Sequence, residues 1–196
     1  MIKAIVFDCF GVLAEDGWLP FKRQYIGEDG ALADAVADLG KQNEYGLLSN
    51  HEYFHAVAEL IGVEEQLFRS AVGKRVPNEP LFDFISTELK PNYKIGLLSN
   101  ANFDVLHNLF NEQQAAVLDA SVLSYETQLV KPDPKMFALI AQKLQVELDE
   151  CLFIDDVERY ALDAEALGMQ SVVYKNLEQA LQDIKIKLST AKQKQQ

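Results

Sequence analysis

The sequence is poor in cysteine, histidine and positive charge. Its 196 residues contain two cysteines, three histidines and 18 lysines and arginines against 30 acidic residues, which gives a net charge of −12. Two cysteines provide no disulfide framework, and we expect both, which fall in apolar runs, to be buried thiols. The negative charge argues against binding to nucleic acid or to an anionic membrane surface, because proteins bind both through lysine and arginine side chains.

Long apolar runs are also missing. None approaches the ~20 residues that span a bilayer, and Asp8 ends the apolar stretch at the N-terminus. A signal peptide needs a positively charged start and a small-residue cleavage site, whereas Lys3 is the only lysine or arginine before Asp8. We therefore expect no membrane partner and a cytoplasmic location. The length fits one domain, with or without an insertion, and leaves the oligomeric state open.

Five apolar runs, rich in β-branched residues, predict strands at residues 2–7, 93–98, 120–124, 151–154 and 170–174. Helical patterns separate the later runs. One face of a predicted helix carries Phe103, Leu106 and Phe110. Another predicted helix begins at Pro134, and a third ends at Gly168. Strands that alternate with helices predict an α/β fold with a parallel sheet and right-handed crossovers.

The stretch from about Asp16 to about Pro80 breaks this alternation, because it has helical patterns and no convincing strand. We predict that residues 16–80 form a helical cap, inserted into a core of residues 1–15 and 81–188. The polar tail, residues 189–196, is expected to be flexible.

Charged residues of the predicted cap are candidates for contact with a substrate. Arg23, Lys74 or Arg75 could meet a second anionic group, but we favour solvated surface charges as the interpretation of each.

A His-Glu-x-x-His pattern at His51–His55 matches that of zinc hydrolases. Ser49 and Glu52 also form a capping box, which predicts that the segment begins a helix. The third histidine, His107, lies outside the cap, so we favour a half-exposed cap helix over a zinc site.

Two candidate site segments follow the first two predicted strands. Asp8 ends the first strand, and the carboxyl ends of strands are where open parallel sheets bind ligands. Ser99 and Asn100 end the second strand, and we expect residues 100–102 to enter a helix whose N–H groups suit an anion.

Two further segments carry a lysine and an acidic pair. Lys131 stands in Lys-Pro-Asp-Pro, whose prolines predict a rigid turn before the next helix. Asp155 and Asp156 follow an apolar strand, and two adjacent carboxylates repel each other. Mg²⁺, which prefers oxygen ligands and substrate phosphate, would relieve that repulsion.

In order and spacing, these four segments resemble the motifs of the haloacid dehalogenase superfamily, over residues 2 to about 175. The resemblance implies a Rossmann-like parallel sheet flanked by helices, with an inserted helical cap, and a Mg²⁺-dependent phosphatase. It implies that Asp8 is the nucleophile, which forms an aspartyl-phosphate. Ser99 would bind the phosphoryl group, and Lys131 would offset the repulsion between nucleophile and substrate.

The resemblance also implies two sets of ligands. The residues expected to contact the phosphorylated small-molecule substrate are Phe10, Ser99, Asn100 and Lys131. Those expected to hold Mg²⁺ are Asp8, the backbone carbonyl of Phe10, Asp155 and Asp156, with Asp156 as the more direct ligand of the pair.

Phe10 departs from the superfamily pattern, in which phosphatases carry a second Asp two residues after the nucleophile. That Asp protonates the leaving oxygen and then activates water, and the loss of a general acid–base typically costs ~10²–10⁴-fold in rate. We therefore expect reduced turnover, although Glu15 or Asp16 could substitute. The position where many relatives carry Asn is Tyr160.

Two alternatives stay open. An aromatic residue at position 10 is also typical of 2-haloacid dehalogenases, which use the Asp on carbon and need no Mg²⁺. The third interpretation is a binding protein without turnover. The retained pair Asp155–Asp156 favours the phosphatase.

Overall fold

A computed structural model describes residues 1–27, 30–73 and 75–193 of the chain. The core is a five-stranded, all-parallel sheet in the order β3-β2-β1-β4-β5. The strands are β1 (Ala4–Phe7), β2 (Lys94–Ser99), β3 (Ala120–Leu123), β4 (Cys151–Asp155) and β5 (Gln170–Val173). The predicted parallel α/β sheet is therefore confirmed, with strand bounds that differ by one or two residues from those expected.

Helices cover both faces of the sheet and form a separate cap. Every residue of β1 is buried, which explains its continuous apolar run. Ile5 packs into the apolar core on one face, and Val6 packs into the core on the other. The helices are α1 (Trp18–Tyr25), α2 (Ala31–Glu44), α3 (Asn50–Ile61), α4 (Glu65–Val72), α5 (Glu79–Phe84, continued as a π-helix over Ile85–Leu89), α6 (Val105–Asn108), α7 (Glu112–Ala116), α8 (Ser124–Thr127), α9 (Pro134–Leu144), α10 (Glu158–Ala166) and α11 (Leu177–Gln193).

The register of the sheet brings the predicted site segments to one edge. Phe7 pairs with Leu97 of β2 and with Ile154 of β4. The residues that follow these positions therefore lie side by side at the carboxyl edge of the sheet, and among them are Asp8 and Asp155.

The cap consists of α1–α4 around an apolar centre of its own. The ring of Phe68 is fully buried, and its centroid lies 4.9 Å from that of Phe21 and 5.1 Å from that of Phe54. The bounds of 16–80 that we gave to the cap stay a prediction.

Two linkers join the cap to the core, and they pair with each other. The N–H of Glu15 donates to the carbonyl of Val76 at 2.8 Å, and the N–H of Asn78 donates to the carbonyl of Leu13 at 2.8 Å. This antiparallel pairing fixes both linkers beside the first site segment.

The single helix predicted through Phe103, Leu106 and Phe110 is wrong. Residues 100–104 form a loop, and two short helices follow it. Asp104 caps α6 by accepting from the N–H of His107, and a capping box between Asn111 and Gln114 begins α7. The helix N-terminus that we expected at residues 100–102 as an anion site is therefore absent from the described structure.

Two further predictions concern helix ends. Helix α11 runs through Gln193, so residues 189–193, which we assigned to a flexible tail, are helical, and residues 194–196 lie outside the described part of the chain. The capping box of Ser49 and Glu52 at the start of α3 is confirmed.

Across residues 1–27, 30–73 and 75–193, none of the helices is long and apolar enough to cross a bilayer.

Candidate active site

The candidate site lies at the carboxyl ends of β1, β2 and β4, where distant parts of the chain meet. Lys131, in the loop before α9, lies with its Nζ 2.9 Å from Asp8 Oδ1 and 2.6 Å from Asp155 Oδ2. Lys131 donates a hydrogen bond to Asp155 and forms an ion pair with Asp8. The ammonium group therefore joins the first and fourth predicted motifs directly.

Lys131 is held as a buried cation. Its side chain is 1% exposed, and its Nζ lies 5.0 Å from the ring centroid of Tyr160 and 5.5 Å from that of Phe153. Burial alone would lower the pKa of Lys131, but the carboxylates of Asp8 and Asp155 outweigh it and hold the pKa above its usual value. A charged amine thus faces the proposed nucleophile, and the two rings limit its access to water.

Three carboxylates lie close together here, and two of them, Asp8 and Asp155, contact this single ammonium group. Asp8, Asp155 and Asp156 each offer an oxygen, and these oxygens lie within 4.8 Å of one another. Burial, opposed by Lys131 and assisted by Asp8, raises the pKa of Asp155 to about 6. Burial, then the charges of Asp8 and Asp155, raise the pKa of Asp156 to about 7. The cluster carries more negative charge than Lys131 compensates.

Asp155 and Asp156 differ in what their oxygens contact. Asp155 is fully buried, and its oxygens accept hydrogen bonds from Lys131 Nζ at 2.6 Å and from the N–H of Val157 at 2.8 Å. Asp156 lines the cleft instead. A side chain on Gly11 would place its Cβ 2.3 Å from Asp156 Oδ2, and the φ of Gly11 is +82°, so only glycine lets this carboxylate approach the loop.

The donor set fits a hard divalent cation. In the described part of the chain, the ion pair with Lys131 is the only polar contact of the buried Asp8 Oδ1, which leaves part of its capacity as an acceptor unused. The carbonyl of Phe10 is not used in the bridge beside it, whose hydrogen bonds run from Gly11 N–H to Ala14 and from Ala14 N–H to Cys9. Carboxylate and carbonyl oxygens with an excess of negative charge suit Mg²⁺.

The second predicted segment divides into two roles. Ser99 is 1% exposed and lines the cleft, and its hydroxyl has no hydrogen-bond partner among the described residues. Asn100, which we expected to contact substrate, uses its amide on the main chain of Lys131. Its Oδ1 accepts from the Lys131 N–H at 2.7 Å, and its Nδ2 donates to the Lys131 carbonyl at 3.3 Å.

A cleft of about 550 Å³ opens above these groups, between the core and the cap. This volume is in the range of small-molecule sites. The core contributes Asp8, Phe10, Ser99, Asn100, Lys131, Asp156 and Tyr160, and the cap and its linkers contribute Asp16, Trp18, Lys22, Asn43, Tyr53, Phe54 and Arg75, among others. Of the two acids considered as substitutes, Asp16 lines this cleft, and Glu15 is exposed.

Sequence reasoning missed the contact that joins the cap to the core beside the cleft. Asn102, in the loop after β2, donates from Nδ2 to Asn43 Oδ1 at 2.9 Å and to Asn50 Oδ1 at 2.7 Å. Asn43 and Asn50 belong to the cap, at the end of α2 and the start of α3. Isolated asparagines carry no sequence signal for such a cluster.

Phe10 has an aromatic and a cationic neighbour. Its ring centroid lies 6.2 Å from that of Phe103. The guanidinium carbon of Arg75 lies 4.7 Å from the Phe10 centroid and 4.5 Å from the Phe103 centroid. The expectation that Arg75 is a solvated charge is wrong, since the side chain is half-buried on two rings. Lys74, grouped with it, lies outside the described residues.

Two other predictions concern side chains without a part in the site. Both cysteines are buried, as predicted. Burial and, to a lesser extent, the charge of Asp8 raise the pKa of Cys9 well above its usual value.

Within the described chain, the histidines of the His-Glu-x-x-His pattern are not arranged as metal ligands. His55 Nδ1 lies 3.2 Å from Glu65 Oε2. Among the described residues, only Asp8, Asp155 and Asp156 form a group of three or more potential metal ligands, so His51 and His55 belong to no such group.

Residues 2–168 match the sequence profile of the haloacid dehalogenase-like hydrolases, and the chain therefore belongs to this family. Among curated proteins, it is 26% identical over 189 residues to "Putative phosphatase YhcW" of Bacillus subtilis, with 90% of this chain and 84% of that protein covered. It is 23% identical over 125 residues to "Bifunctional epoxide hydrolase 2" of Sus scrofa, a match that spans 61% of this chain and only 22% of that longer protein.

Solved structures of family members resemble the whole chain. A hydrolase of Porphyromonas gingivalis, described as HAD-like, is 28% identical, with a TM-score of 0.70 over 96% of this chain and 98% of that one. The HAD family enzyme bt-2542 of Bacteroides thetaiotaomicron, in complex with magnesium and inorganic phosphate, is 26% identical, with a TM-score of 0.63 over 89% of this chain and 95% of that one. The predicted family and fold are confirmed.

Proposed function

We propose that this hydrolase acts on small phosphomonoesters, depends on Mg²⁺ and forms an aspartyl-phosphate on Asp8. The observation that carries the proposal is the position of Asp8. One buried oxygen of its carboxylate lies 2.9 Å from Lys131 Nζ, and no other donor of the described chain contacts it. A carboxylate held beside a cation and contacted by few other donors is suited to nucleophilic attack.

The chemistry follows from the groups around Asp8. A carboxylate oxygen of Asp8 attacks phosphorus, the bond between phosphorus and the ester oxygen breaks, and the alcohol leaves. Water then attacks the phosphorus of the aspartyl-phosphate, which releases inorganic phosphate and restores Asp8. Lys131 offsets the repulsion between the nucleophile and the anionic substrate, and the Ser99 hydroxyl, which has no other partner among the described residues, donates to a phosphoryl oxygen.

Of the four ligands predicted from the sequence, Asp8, Asp156 and the backbone carbonyl of Phe10 would hold the proposed cation directly. Asp155, the fourth, already accepts hydrogen bonds at both oxygens, and it supports the set by orienting Lys131 at 2.6 Å. When bound, Mg²⁺ would orient the phosphoryl group and screen the charge that develops on it. Complexes of the related enzyme bt-2542 with magnesium support this proposal.

We propose that turnover is slow because Phe10 provides no acid. The leaving oxygen then takes its proton from solvent, and the attacking water loses its proton without a base at position 10. Asp16 lines the cleft, but its Oδ1 accepts the N–H of Trp18 at 2.8 Å, which holds that oxygen in a helix cap. A substrate with a good leaving group would be least affected.

Phe10 is the observation that favours a second candidate, displacement of halide from a 2-haloacid by Asp8. Such a reaction at carbon needs no acid for its leaving group. The acidic cluster argues against it, since three carboxylates within 4.8 Å of one another are better explained by a bound cation.

Two expectations from the sequence stay predictions, namely that the protein does not bind nucleic acid and that it is located in the cytoplasm.

A substrate panel with Mg²⁺ or with EDTA tests the proposal. The panel contains p-nitrophenyl phosphate, acetyl phosphate, sugar phosphates and L-2-chloropropionate. We expect phosphate release that requires Mg²⁺. Chloride release in EDTA would support the second candidate, and no turnover, together with stabilisation by phosphate esters, would indicate a binding protein.

A further inference from the structure

Arg75 lies where the cap joins the core, in a linker whose main chain is hydrogen-bonded to the other linker. It lies in the linker between α4 and α5, and the hydrogen bond of 2.8 Å from Glu15 N–H to the Val76 carbonyl fixes the residue that follows it. The bridge between Ala14 and Pro77 continues that pairing. The side chain of Arg75 therefore starts from a main chain that is tied to the segment after Asp8.

Two aromatic rings hold the guanidinium group of Arg75. Its central carbon lies 4.7 Å from the ring centroid of Phe10 and 4.5 Å from that of Phe103. Contact with two rings restricts the position of a guanidinium but uses none of its five N–H donors. The side chain is thus oriented while its hydrogen-bonding edge is left for another group.

Within the described part of the chain, that edge has no hydrogen bond and no ion pair. Arg75 is half-buried and lines the cleft that also contains Asp8 and Lys131. Burial lowers the pKa of Arg75, and the charge of Asp16 opposes the shift, so the group stays charged but is partly desolvated. A guanidinium that is partly desolvated and makes no ion pair is unfavourable, and an anionic ligand in the cleft would relieve this.

We propose that Arg75 binds a carboxylate of the substrate, so that the preferred substrates are small phosphorylated carboxylic acids; this rests on the function proposed above. A guanidinium binds a carboxylate with two parallel hydrogen bonds. Lys131, which contacts Asp8 directly, serves the phosphoryl group instead. The two cations thus recognise the two ends of one substrate.

The cleft sets the size of that substrate. Asp8, Lys131 and Arg75 all line one cleft of about 550 Å³, a volume in the range of small-molecule sites. A phosphate and a carboxylate joined by a carbon chain of two or three atoms make a ligand that fits a cleft of this volume.

The test compares two substrates that differ in one group. 3-Phosphoglycerate has a carboxylate where glycerol 3-phosphate has a hydroxymethyl group. With Mg²⁺, we expect kcat/KM for the carboxylate substrate to be higher by about tenfold or more, the value expected of charged hydrogen bonds. Turnover of glycerol 3-phosphate and p-nitrophenyl phosphate measures the proposed function separately, since neither has a carboxylate.

Variants assign the preference to Arg75. Arg75→Gln should bring the ratio of the two kcat/KM values close to one, mainly by raising KM for 3-phosphoglycerate. Arg75→Lys keeps the charge without the planar group and should keep part of the preference. Arg23→Gln is the matched control, because Arg23 is an exposed cap arginine that lines a different cavity, and the ratio should not change.

A binding measurement on the Asp8→Asn protein covers the case in which no phosphate ester is turned over. Titration calorimetry should give a Kd for 3-phosphoglycerate lower by about tenfold than that for glycerol 3-phosphate, and the added Arg75→Gln change should remove the difference. Equal affinities would overturn the assignment even if Mg²⁺-dependent turnover is observed. An equal loss of kcat/KM on both substrates in Arg75→Gln would also overturn it, since that result indicates a structural role.

Discussion

The side-chain amide of Asn100 holds the main chain of Lys131 at both of its polar groups. Oδ1 accepts from the N–H at 2.7 Å, and Nδ2 donates to the carbonyl at 3.3 Å. Asn100 directly follows β2, whereas Lys131 lies in the loop before α9. A residue at the end of one strand therefore positions the loop that brings an ammonium group to Asp8.

Asn100→Ala should weaken both the fold and the catalysis. It leaves a main-chain N–H and carbonyl without their partner, which typically costs about 1–3 kcal/mol of unfolding free energy. Because the Lys131 loop would shift, we expect kcat to fall about ten- to a hundredfold. Urea unfolding and steady-state kinetics measure the two effects. Asn92→Ala, at an exposed asparagine, is the control, and a normal kcat in Asn100→Ala would show that Lys131 needs no such support.

Asp8→Asn tests the nucleophile. An amide of the same size cannot form the aspartyl-phosphate, so we expect turnover to fall by at least about a thousandfold. Asp8 is one of three clustered carboxylates, and Asp155 also pairs with Lys131, so the neutralisation of Asp8 should not lower the free energy of unfolding. Turnover close to that of the unaltered protein would assign the attack to another group.

Phe10→Asp tests whether the missing acid limits the rate. The carboxyl would be placed two residues after the nucleophile, where a general acid–base contributes typically about 10²–10⁴-fold. We expect kcat for an alkyl phosphate to rise by about tenfold or more, with a smaller rise for p-nitrophenyl phosphate, whose leaving group needs less protonation. Phe10→Leu removes the ring without adding an acid and should give no rise. Equal rates in both variants would mean that protonation does not limit turnover.

Much of the fold could be predicted because local patterns and packing agree. The strand Ala4–Phe7 is an apolar run buried on both faces, and such runs are visible in a sequence. The acids at the ends of β1 and β4 could be placed together, because parallel strands share one carboxyl edge. The loop at residues 100–104 was missed, although Asp104 and the pair Asn111 and Gln114 are helix-start signals.

The contacts that complete the cleft could not be predicted. Arg75 meets Phe10 and Phe103, which are remote from it in the chain, and their contact depends on how the cap joins the core. Asn100 was expected to bind substrate, but its amide contacts main chain that is brought near only by the fold. Side-chain partners across a domain junction follow from tertiary packing, for which a single sequence carries no periodic signal.

The charge of the acidic cluster makes the stability of the metal-free protein depend on pH. The pKa of Asp155 is raised to about 6 and that of Asp156 to about 7, mainly by burial. Aspartates in the unfolded chain have a pKa of about 3.9. Between that pKa and the higher pKa values of the folded state, the folded protein binds more protons than the unfolded one. The stability that these two carboxyl groups contribute therefore falls as pH rises from about 4 to about 7 and is constant above that range. The pKa of Lys131 is also above its usual value, so the lysine stays charged throughout this range.

Asp156→Asn tests this account together with the cation. In EDTA, the melting temperature of the unaltered protein should fall between pH 5 and pH 8, and the variant should show a smaller fall, because it lacks the carboxyl of higher pKa. Mg²⁺ binds the deprotonated cluster, so it should stabilise the unaltered protein more at pH 8 than at pH 5 and should stabilise the variant less. Asp149→Asn, at an exposed aspartate, should behave as the unaltered protein does. A variant that keeps the full pH slope and the full response to Mg²⁺ would exclude Asp156 as a ligand.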